Sequence, residues 1–212
     1  MPDAALVHVV DDDAAVRDSL RLLLESAGLT VHTYESATAL LTALPKEASG
    51  CVLTDVRMPE MDGLALQRRL SELGFLLPVI VMTGHGDVPI AVAALKAGAA
   101  DFLEKPFDDT QLLAAISNAL AAGKRTRDEA AAAAEIAARL ATLTPREREV
   151  LGRLVEGHPN KTIAYDLGSS PRTVEVHRAR VMEKMGARSL PELVRMVMAA
   201  GPDDAPAKPR PR

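Results

Sequence analysis

The chain has 212 residues, 48% hydrophobic and 25% charged, which is the balance of a globular protein with room for two small domains. Its single cysteine excludes an internal disulfide, and the absence of a signal segment or a membrane-length apolar run favours a cytoplasmic protein with no membrane contact. Residues 1–123 carry 8 Lys/Arg against 17 Asp/Glu, and residues 124–212 carry 17 against 12, so the net charge of -4 conceals an acidic half and a basic half.

The first 120 residues alternate between short apolar runs and amphipathic segments. The predicted strands are ALVHVV, LTVHTY, CVLTD, PVIVMT and ADFLEK. Each is followed by a segment with helical spacing, such as Val16, Leu20 and Leu24 after the first strand. Five such units predict a parallel sheet with helices on both faces, in the flavodoxin-like strand order 2-1-3-4-5. We therefore expect an α/β domain over residues 1–122.

The stretch that follows is rich in alanine and contains no helix breaker. We expect a helical linker over residues 123–142, with one short apolar stripe of Ile136, Leu140 and Leu143. A solvated linker is favoured over a dimerising coil, and both remain open from the sequence.

The remaining segments have marked helix ends. Thr144 to Glu147 is a capping box, Asn160 can cap a second helix, Ser170-Pro171 begins a third, and Ser189 to Glu192 is another capping box. These signals predict a four-helix domain over residues 143–201. The proline-rich tail, residues 202–212, is expected to be disordered.

Polar side chains follow four of the five predicted strands. Asp11, Asp12 and Asp13 follow the first strand, and Asp55 ends the third. Thr83 ends the fourth and Lys105 follows the fifth. Because ligands of parallel sheets bind at the carboxyl ends of the strands, these groups are expected to lie together. Carboxylates suit Mg²⁺, and an aspartate can accept a phosphoryl group whose charge the metal and Lys105 would stabilise.

The segments VVDDD, TDVRMPEMDG, VMTGHGD and DFLEKPF resemble the signature segments of response-regulator receiver domains. The resemblance implies that Asp55 is the phosphoacceptor. It also implies a Mg²⁺ site, phosphate-contact and switch residues, and a cis Lys105-Pro106 bond. The implied metal ligands are Asp11, Asp12, Asp55 and the backbone carbonyl of Arg57. The implied switch and phosphate-contact residues are Thr83, Phe102 and Lys105.

The segment NKTIAYDLGSSPRTVEVHRARVMEKMG is typical of a helix-turn-helix, whose second helix enters the major groove of DNA. Val174, Val181 and Met185 are assigned to the core. Glu175 can accept from a cytosine amino group and Val176 can pack on a thymine methyl. The candidate DNA-contact residues are Lys161, Arg172, Thr173, Glu175, Val176, Arg178, Ala179 and Arg180.

Residues 140–201 resemble the LuxR-type DNA-binding domain, and the pairing of this domain with this kind of receiver is similar to the FixJ subfamily. Glu147 matches an acidic residue of the LuxR-type motif and could pair with a nearby arginine. The resemblance implies a sensor histidine kinase as phosphodonor and a homodimer formed on phosphorylation through the face from Val88 to Glu104. It further implies near-palindromic promoter DNA and a contact with RNA polymerase.

Two other functions remain open from the residues. One is a Mg²⁺-dependent aspartyl-phosphate phosphohydrolase, although such enzymes commonly carry a second aspartate two positions after the nucleophile, where this chain has Arg57. The other is a receiver whose output domain binds protein or RNA. We expect a regulator rather than an enzyme, with at most self-phosphorylation and autodephosphorylation at Asp55.

Overall fold

The computed structural model describes residues 5–84, 92 and 94–199. The chain divides into two compact units, Met1–Arg127 and Asp128–Arg212. No helix within the described ranges is both long enough and apolar enough to cross a bilayer.

The first unit contains a parallel sheet of five strands in the order β2-β1-β3-β4-β5, which confirms the predicted fold. The strands are β1 (Leu6–Val10), β2 (Thr30–Tyr34), β3 (Cys51–Asp55), β4 (Val79–Thr83) and β5 (Asp101–Glu104). The helices are α1 (Ala14–Ser26), α2 (Ala37–Ala43), α3 (Gly63–Glu72) and α4 (Asp109–Ala141).

Apolar side chains cover both faces of the sheet. Val9 and Leu53 belong to the core on one face, whereas Val10 and Val52 belong to the core on the other. This alternation follows from the two-residue period of a strand, and it explains why β4 is a continuous run of buried residues.

A further helix is predicted at residues 88–98, between β4 and β5. Most of its N-terminal part, residues 88–91 and 93, lies outside the described residues; residues 92 and 94–96 are helical. The proposed dimer face from Val88 to Glu104 is therefore described only in part.

The second unit packs the end of α4 with four further helices. These are α5 (Pro145–Val155), α6 (Asn160–Asp166), α7 (Pro171–Met185) and α8 (Leu190–Ala199). Val174, Val181 and Met185 are buried, as predicted. Leu140 and Leu143 are buried in the same core and Ile136 packs against it, so the apolar stripe of the linker is covered by its own unit. Before this stripe, most of residues 124–135 are exposed.

Two of the predicted helix caps differ in the structure. The N-cap of α6 is Pro159 rather than Asn160, whose side-chain oxygen instead accepts from Arg178 on α7 at 3.3 Å. Glu192 accepts from the Arg188 amide at 2.8 Å, so the second capping box is shifted by one residue on that side. In the structure these two side chains therefore accept from Arg178 and from the Arg188 amide.

Gly63 determines how closely α3 approaches the end of β3. Its amide donates to the Val56 carbonyl at 3.0 Å, and a Cβ atom here would lie 2.3 Å from the Asp55 carbonyl oxygen. Backbone atoms cannot move aside as a flexible side chain can, so this position requires glycine.

We therefore expect Gly63→Ala to destabilise the first unit by about 1–3 kcal/mol, the usual effect of overpacking. Hydrogen exchange followed by mass spectrometry should show faster exchange of β3 and α3 peptides. Gly84→Ala is the matched control because a Cβ at Gly84 meets no atom within 4 Å. Equal exchange in both variants would contradict the expected backbone clash.

Candidate functional site

The carboxyl ends of the strands bring the predicted polar residues to one edge of the sheet. Asp11 follows β1, Asp55 ends β3 and Thr83 ends β4. The register pairs Val10 with Thr54 and Asp55 with Met82, so neighbouring strands end at the same level. This shared edge gathers residues as distant in the chain as Asp11 and Lys105, which are 94 positions apart.

Lys105 connects the two carboxylates at this edge. Its Nζ lies 2.5 Å from Asp55 Oδ1 and 3.3 Å from Asp11 Oδ2. The Asp11 side chain is 3% exposed, that of Asp55 14% and that of Lys105 32%. The arrangement is two recessed carboxylates that share one partly exposed cation.

Burial and charge act in opposite directions on these groups. Burial raises the pKa of the Asp11 carboxyl above its usual value, and its hydrogen bond from the Asp13 amide and the Lys105 charge offset only part of that rise. Burial by itself would lower the pKa of Lys105, but the hydrogen bond and charge of Asp55, with the charge of Asp11, raise it. The ammonium form of Lys105 is therefore stabilised by its partners.

Backbone groups orient the two carboxylates. Asp55 Oδ2 accepts from the Arg57 amide at 2.6 Å, and Asp11 Oδ1 accepts from the Asp13 amide at 2.9 Å. The Lys105 amide donates to the Thr83 carbonyl at 2.7 Å, which joins the end of β4 to the residue after β5. The Lys105-Pro106 bond is cis, as the resemblance implies.

The other predicted receiver residues lie around this pair in different environments. Thr83 is 2% exposed and Phe102 is partly buried on β5. Asp12 is exposed, whereas Asp13 caps α1 by accepting from the Ala15 amide at 2.8 Å. Within the ranges that the structure describes, no group of three or more His, Cys, Asp or Glu side chains is close enough to hold a metal ion.

Sequence reasoning missed one contact at this site. Arg17 on α1 donates to the Asp11 carbonyl at 2.7 Å and so supports the backbone beneath the buried carboxylate. The sequence could not indicate this contact, because a solvent-exposed arginine can occupy the same position one turn into a helix.

The second unit presents the candidate DNA-contact residues on α6 and α7. Ser170 caps α7 by accepting from the Thr173 amide at 3.1 Å, so the helix begins where predicted. Most of the candidate side chains are exposed, and Arg178 is partly buried against Asn160. The exposed candidates are Lys161, Arg172, Thr173, Glu175, Val176, Ala179 and Arg180.

Glu147 connects α5 to the same helix. Its side chain is 3% exposed and accepts from Lys184 on α7 at 2.6 Å and from the Thr144 amide at 2.9 Å. The pairing with a nearby arginine that the sequence left open is wrong, because the partner is a lysine. The hydrogen bond from Lys184, with that from Thr144, lowers the pKa of Glu147 from 4.5 to about 2.

Two protein families match successive parts of the chain. Residues 7–117 match the response regulator receiver domain, and residues 141–197 match the luxR family of bacterial regulatory proteins. The chain is 57% identical over 201 residues to the transcriptional regulatory protein FixJ of Azorhizobium caulinodans, covering 95% of each chain. The chain belongs to the FixJ subfamily of response regulators.

Further FixJ-like proteins support this assignment. The chain is 54% identical to FixJ of Rhizobium meliloti over 92% of its own length and 96% of that protein. Among solved structures, the response regulator StyR superposes with a TM-score of 0.81 at 41% identity, covering 91% of this chain and 98% of that one. Full-length FixJ from B. japonicum superposes with a TM-score of 0.58 at 52% identity, covering 92% and 97%.

The family determines the general function of this FixJ-type regulator. It is a transcriptional regulator of a two-component system, with a receiver and a LuxR-type DNA-binding domain. Receiver domains generally bind Mg²⁺ at the phosphorylation site and act with a histidine kinase, and the FixJ relatives are transcriptional regulators.

We expect Glu147→Gln to remove a pH-dependent part of the stability of the second unit. Because the folded pKa is depressed, the contribution of Glu147 is complete above pH 4.5 and is lost as pH falls towards 2. Glu147→Gln should therefore lower the free energy of unfolding of the second unit at neutral pH more than near pH 2. A carbon-13 NMR titration of the Glu147 carboxyl, with urea unfolding of the wild type and the variant, measures both quantities.

Glu149→Gln is the control, because Glu149 is a half-exposed partner of Arg146. A Glu147 midpoint near 4.5, or an equal loss of stability in the two variants, would contradict the assigned ion pair.

Proposed function

We propose that Asp55 accepts a phosphoryl group from a sensor histidine kinase and that this charge switches dimerisation and DNA binding. The observation that carries the proposal is the placement of Lys105 Nζ against the carboxylates of Asp55 and Asp11. The phosphoryl group adds negative charge at the acceptor carboxylate, and the Lys105 cation already lies there to compensate that charge.

The transfer needs little from the protein beyond position and charge. The phosphorus–nitrogen bond of the donor phosphohistidine breaks, a phosphorus–oxygen bond to an Asp55 carboxylate oxygen forms, and the leaving imidazole nitrogen takes a proton. The hydrogen bond from the Arg57 amide holds the Asp55 carboxylate in one orientation. Lys105 is then positioned to contact the transferred group.

The oxygen-rich edge also suits a Mg²⁺ site, with Asp11, Asp12, Asp55 and the Arg57 carbonyl as the proposed ligands. The fit is supported by the all-oxygen donor set and by the two carboxylates that already share a cation. The exposure of Asp12 means that its carboxylate would have to turn inward. When bound, Mg²⁺ supplies positive charge for the phosphoryl oxygens and reduces the repulsion between the carboxylates.

The switch that we propose uses Thr83 and Phe102. The Thr83 hydroxyl donates to a phosphoryl oxygen, and the Phe102 ring turns inward as the threonine moves. The face from Val88 to Glu104 then forms a homodimer. Proximity supports this role, because the Lys105 amide is hydrogen-bonded to the Thr83 carbonyl and Phe102 lies on the adjoining strand.

The proposed output is sequence-selective binding of near-palindromic promoter DNA, together with a contact to RNA polymerase. α7 would lie in the major groove, with Glu175 and Val176 at base edges. The arginines of α7 and Lys161 would contact phosphates or guanine. The exposure of these side chains supports the assignment.

The remaining parts of the proposal concern organisation and location. We propose a receiver domain over residues 1–122, a linker over 123–142, a DNA-binding domain over 143–201 and a tail over 202–212. We further propose a cytoplasmic protein with no membrane partner, which is a regulator with at most self-phosphorylation and autodephosphorylation at Asp55.

We expect Asp55→Asn to prevent phosphorylation, because an amide does not attack phosphorus as a carboxylate does. The purified chain would be treated with a small phosphodonor and Mg²⁺, and the hydroxylamine-sensitive label counted. Asp13→Asn is the matched control, since Asp13 caps α1 and asparagine is an equally good cap. A label that persists in Asp55→Asn would contradict the choice of acceptor.

We expect Glu175→Ala to relax the base preference at one position by about 1–3 kcal/mol, since a lost base contact reduces discrimination more than affinity. Selection of sites from a random duplex pool measures the preference. Glu183→Ala, at an exposed position of the same helix, should leave the preference unchanged. If Glu175→Ala changed affinity equally on every sequence, Glu175 would not be a base contact.

A further inference from the structure

The C-terminal end of α7, the reading helix proposed above, is held by the last turns of α4. Arg139 on α4 donates through Nη1 to the Met185 carbonyl at 2.7 Å. Carbonyls at the end of a helix lack partners within the helix and carry partial negative charge, so a guanidinium is a favourable cap. This cap is supplied by a different helix from the one that it terminates.

The surroundings of the Arg139 guanidinium hold it in place. Its Nη2 donates to Glu135 one turn earlier on α4 at 2.6 Å. Gly186, which follows Met185, has φ 68°, and a Cβ atom there would lie 2.6 Å from Arg139 Nη1. The glycine thus serves two needs at once: it takes the left-handed conformation that ends α7, and it leaves space for the guanidinium.

A second bond joins the same two helix ends. Lys184 on α7 donates to the Thr142 carbonyl, just after α4, at 3.1 Å, and also reaches Glu147 on α5. Leu140, the residue after Arg139, is buried in the core of the second unit. The end of α4 is therefore a packed part of the unit that carries the reading helix, although Arg139 lies outside the residues 141–197 that match the luxR family.

We propose that Arg139 is a positioning residue for DNA recognition. By capping the Met185 carbonyl it determines the direction of α7, and so the placement of Glu175 and Val176 about 15 Å away at the other end of the helix, given a rise of 1.5 Å per residue. Arg178, bonded to Asn160 on α6, restrains the helix nearer that end. The proposal rests on the proposed reading role of α7.

The test compares Arg139→Gln and Arg139→Lys in the full-length phosphorylated chain. The probes are a duplex selected by the wild-type protein and a scrambled duplex of equal length. Arg139→Gln should lower affinity for the selected duplex about three- to tenfold and leave the scrambled duplex unchanged, because a misdirected helix loses base contacts and keeps its charge contacts. Arg139→Lys should recover most of the loss, since an ammonium can also cap a carbonyl.

Arg148→Gln is the matched control. Arg148 donates to the Ala141 carbonyl at 3.4 Å, so its hydrogen bond is to the same linker end and not to a residue of α7. Its removal should change affinity for the two duplexes by the same factor. Hydrogen exchange of α7 peptides would establish that each variant is folded.

Salt dependence separates positioning from direct contact. The slope of log affinity against log salt should be the same in Arg139→Gln and the wild type, because losing a phosphate contact would reduce the slope by about 0.9. A reduced slope, or unchanged discrimination between the duplexes, would overturn the proposal. Failure of the proposed reading role gives a different result: a wild-type chain without preference, or a Glu175→Ala variant with unaltered preference.

Discussion

One ammonium group bridges the two carboxylates at the edge of the sheet where the receiver site lies. Lys105 Nζ lies against the carboxylates of Asp55 and Asp11, which come from two neighbouring strands, while the lysine itself follows a third. Burial opposes the ionised form of Asp11, and its pKa rises despite the lysine. Two carboxylates share one ammonium at this edge, so a further cation bound there would stabilise their ionised forms. A phosphoryl group on Asp55 would then meet positive charge already in place.

The second unit uses cations in a related way to arrange its helices. Arg139 and Arg146 donate to carbonyls at the C-terminal ends of α7 and α6, and Lys184 joins Glu147 to the linker end. None of these bonds involves a candidate DNA-contact residue. The basic character of this half thus has two origins, one in internal helix capping and one in the surface available to DNA.

The hydrophobic periodicity and the alternating order of strands and helices made much of this fold predictable from the sequence. The apolar run of β4 and the carboxyl-end placement of Asp11, Asp55 and Thr83 follow from the rules of parallel sheets. The Ser170 cap and the buried face of α7 follow from helix signals. The hydrogen-bond partners of Asn160 and Glu147 were not predicted. Asn160 accepts from Arg178, and Glu147 accepts from Lys184, which is 37 residues away in the chain. Side-chain contacts between residues distant in the chain are not encoded in the hydrophobic periodicity of the sequence.

The acceptor assignment is tested most directly by trapping the phosphoryl group where it sits. The chain would be phosphorylated with a small phosphodonor and Mg²⁺, reduced with borohydride, which converts an aspartyl phosphate to homoserine, and sequenced by mass spectrometry. The convergence of Lys105, Asp11 and Asp55 predicts homoserine at position 55. Homoserine at position 12 or 13, or none in a chain that had taken up phosphate, would contradict it.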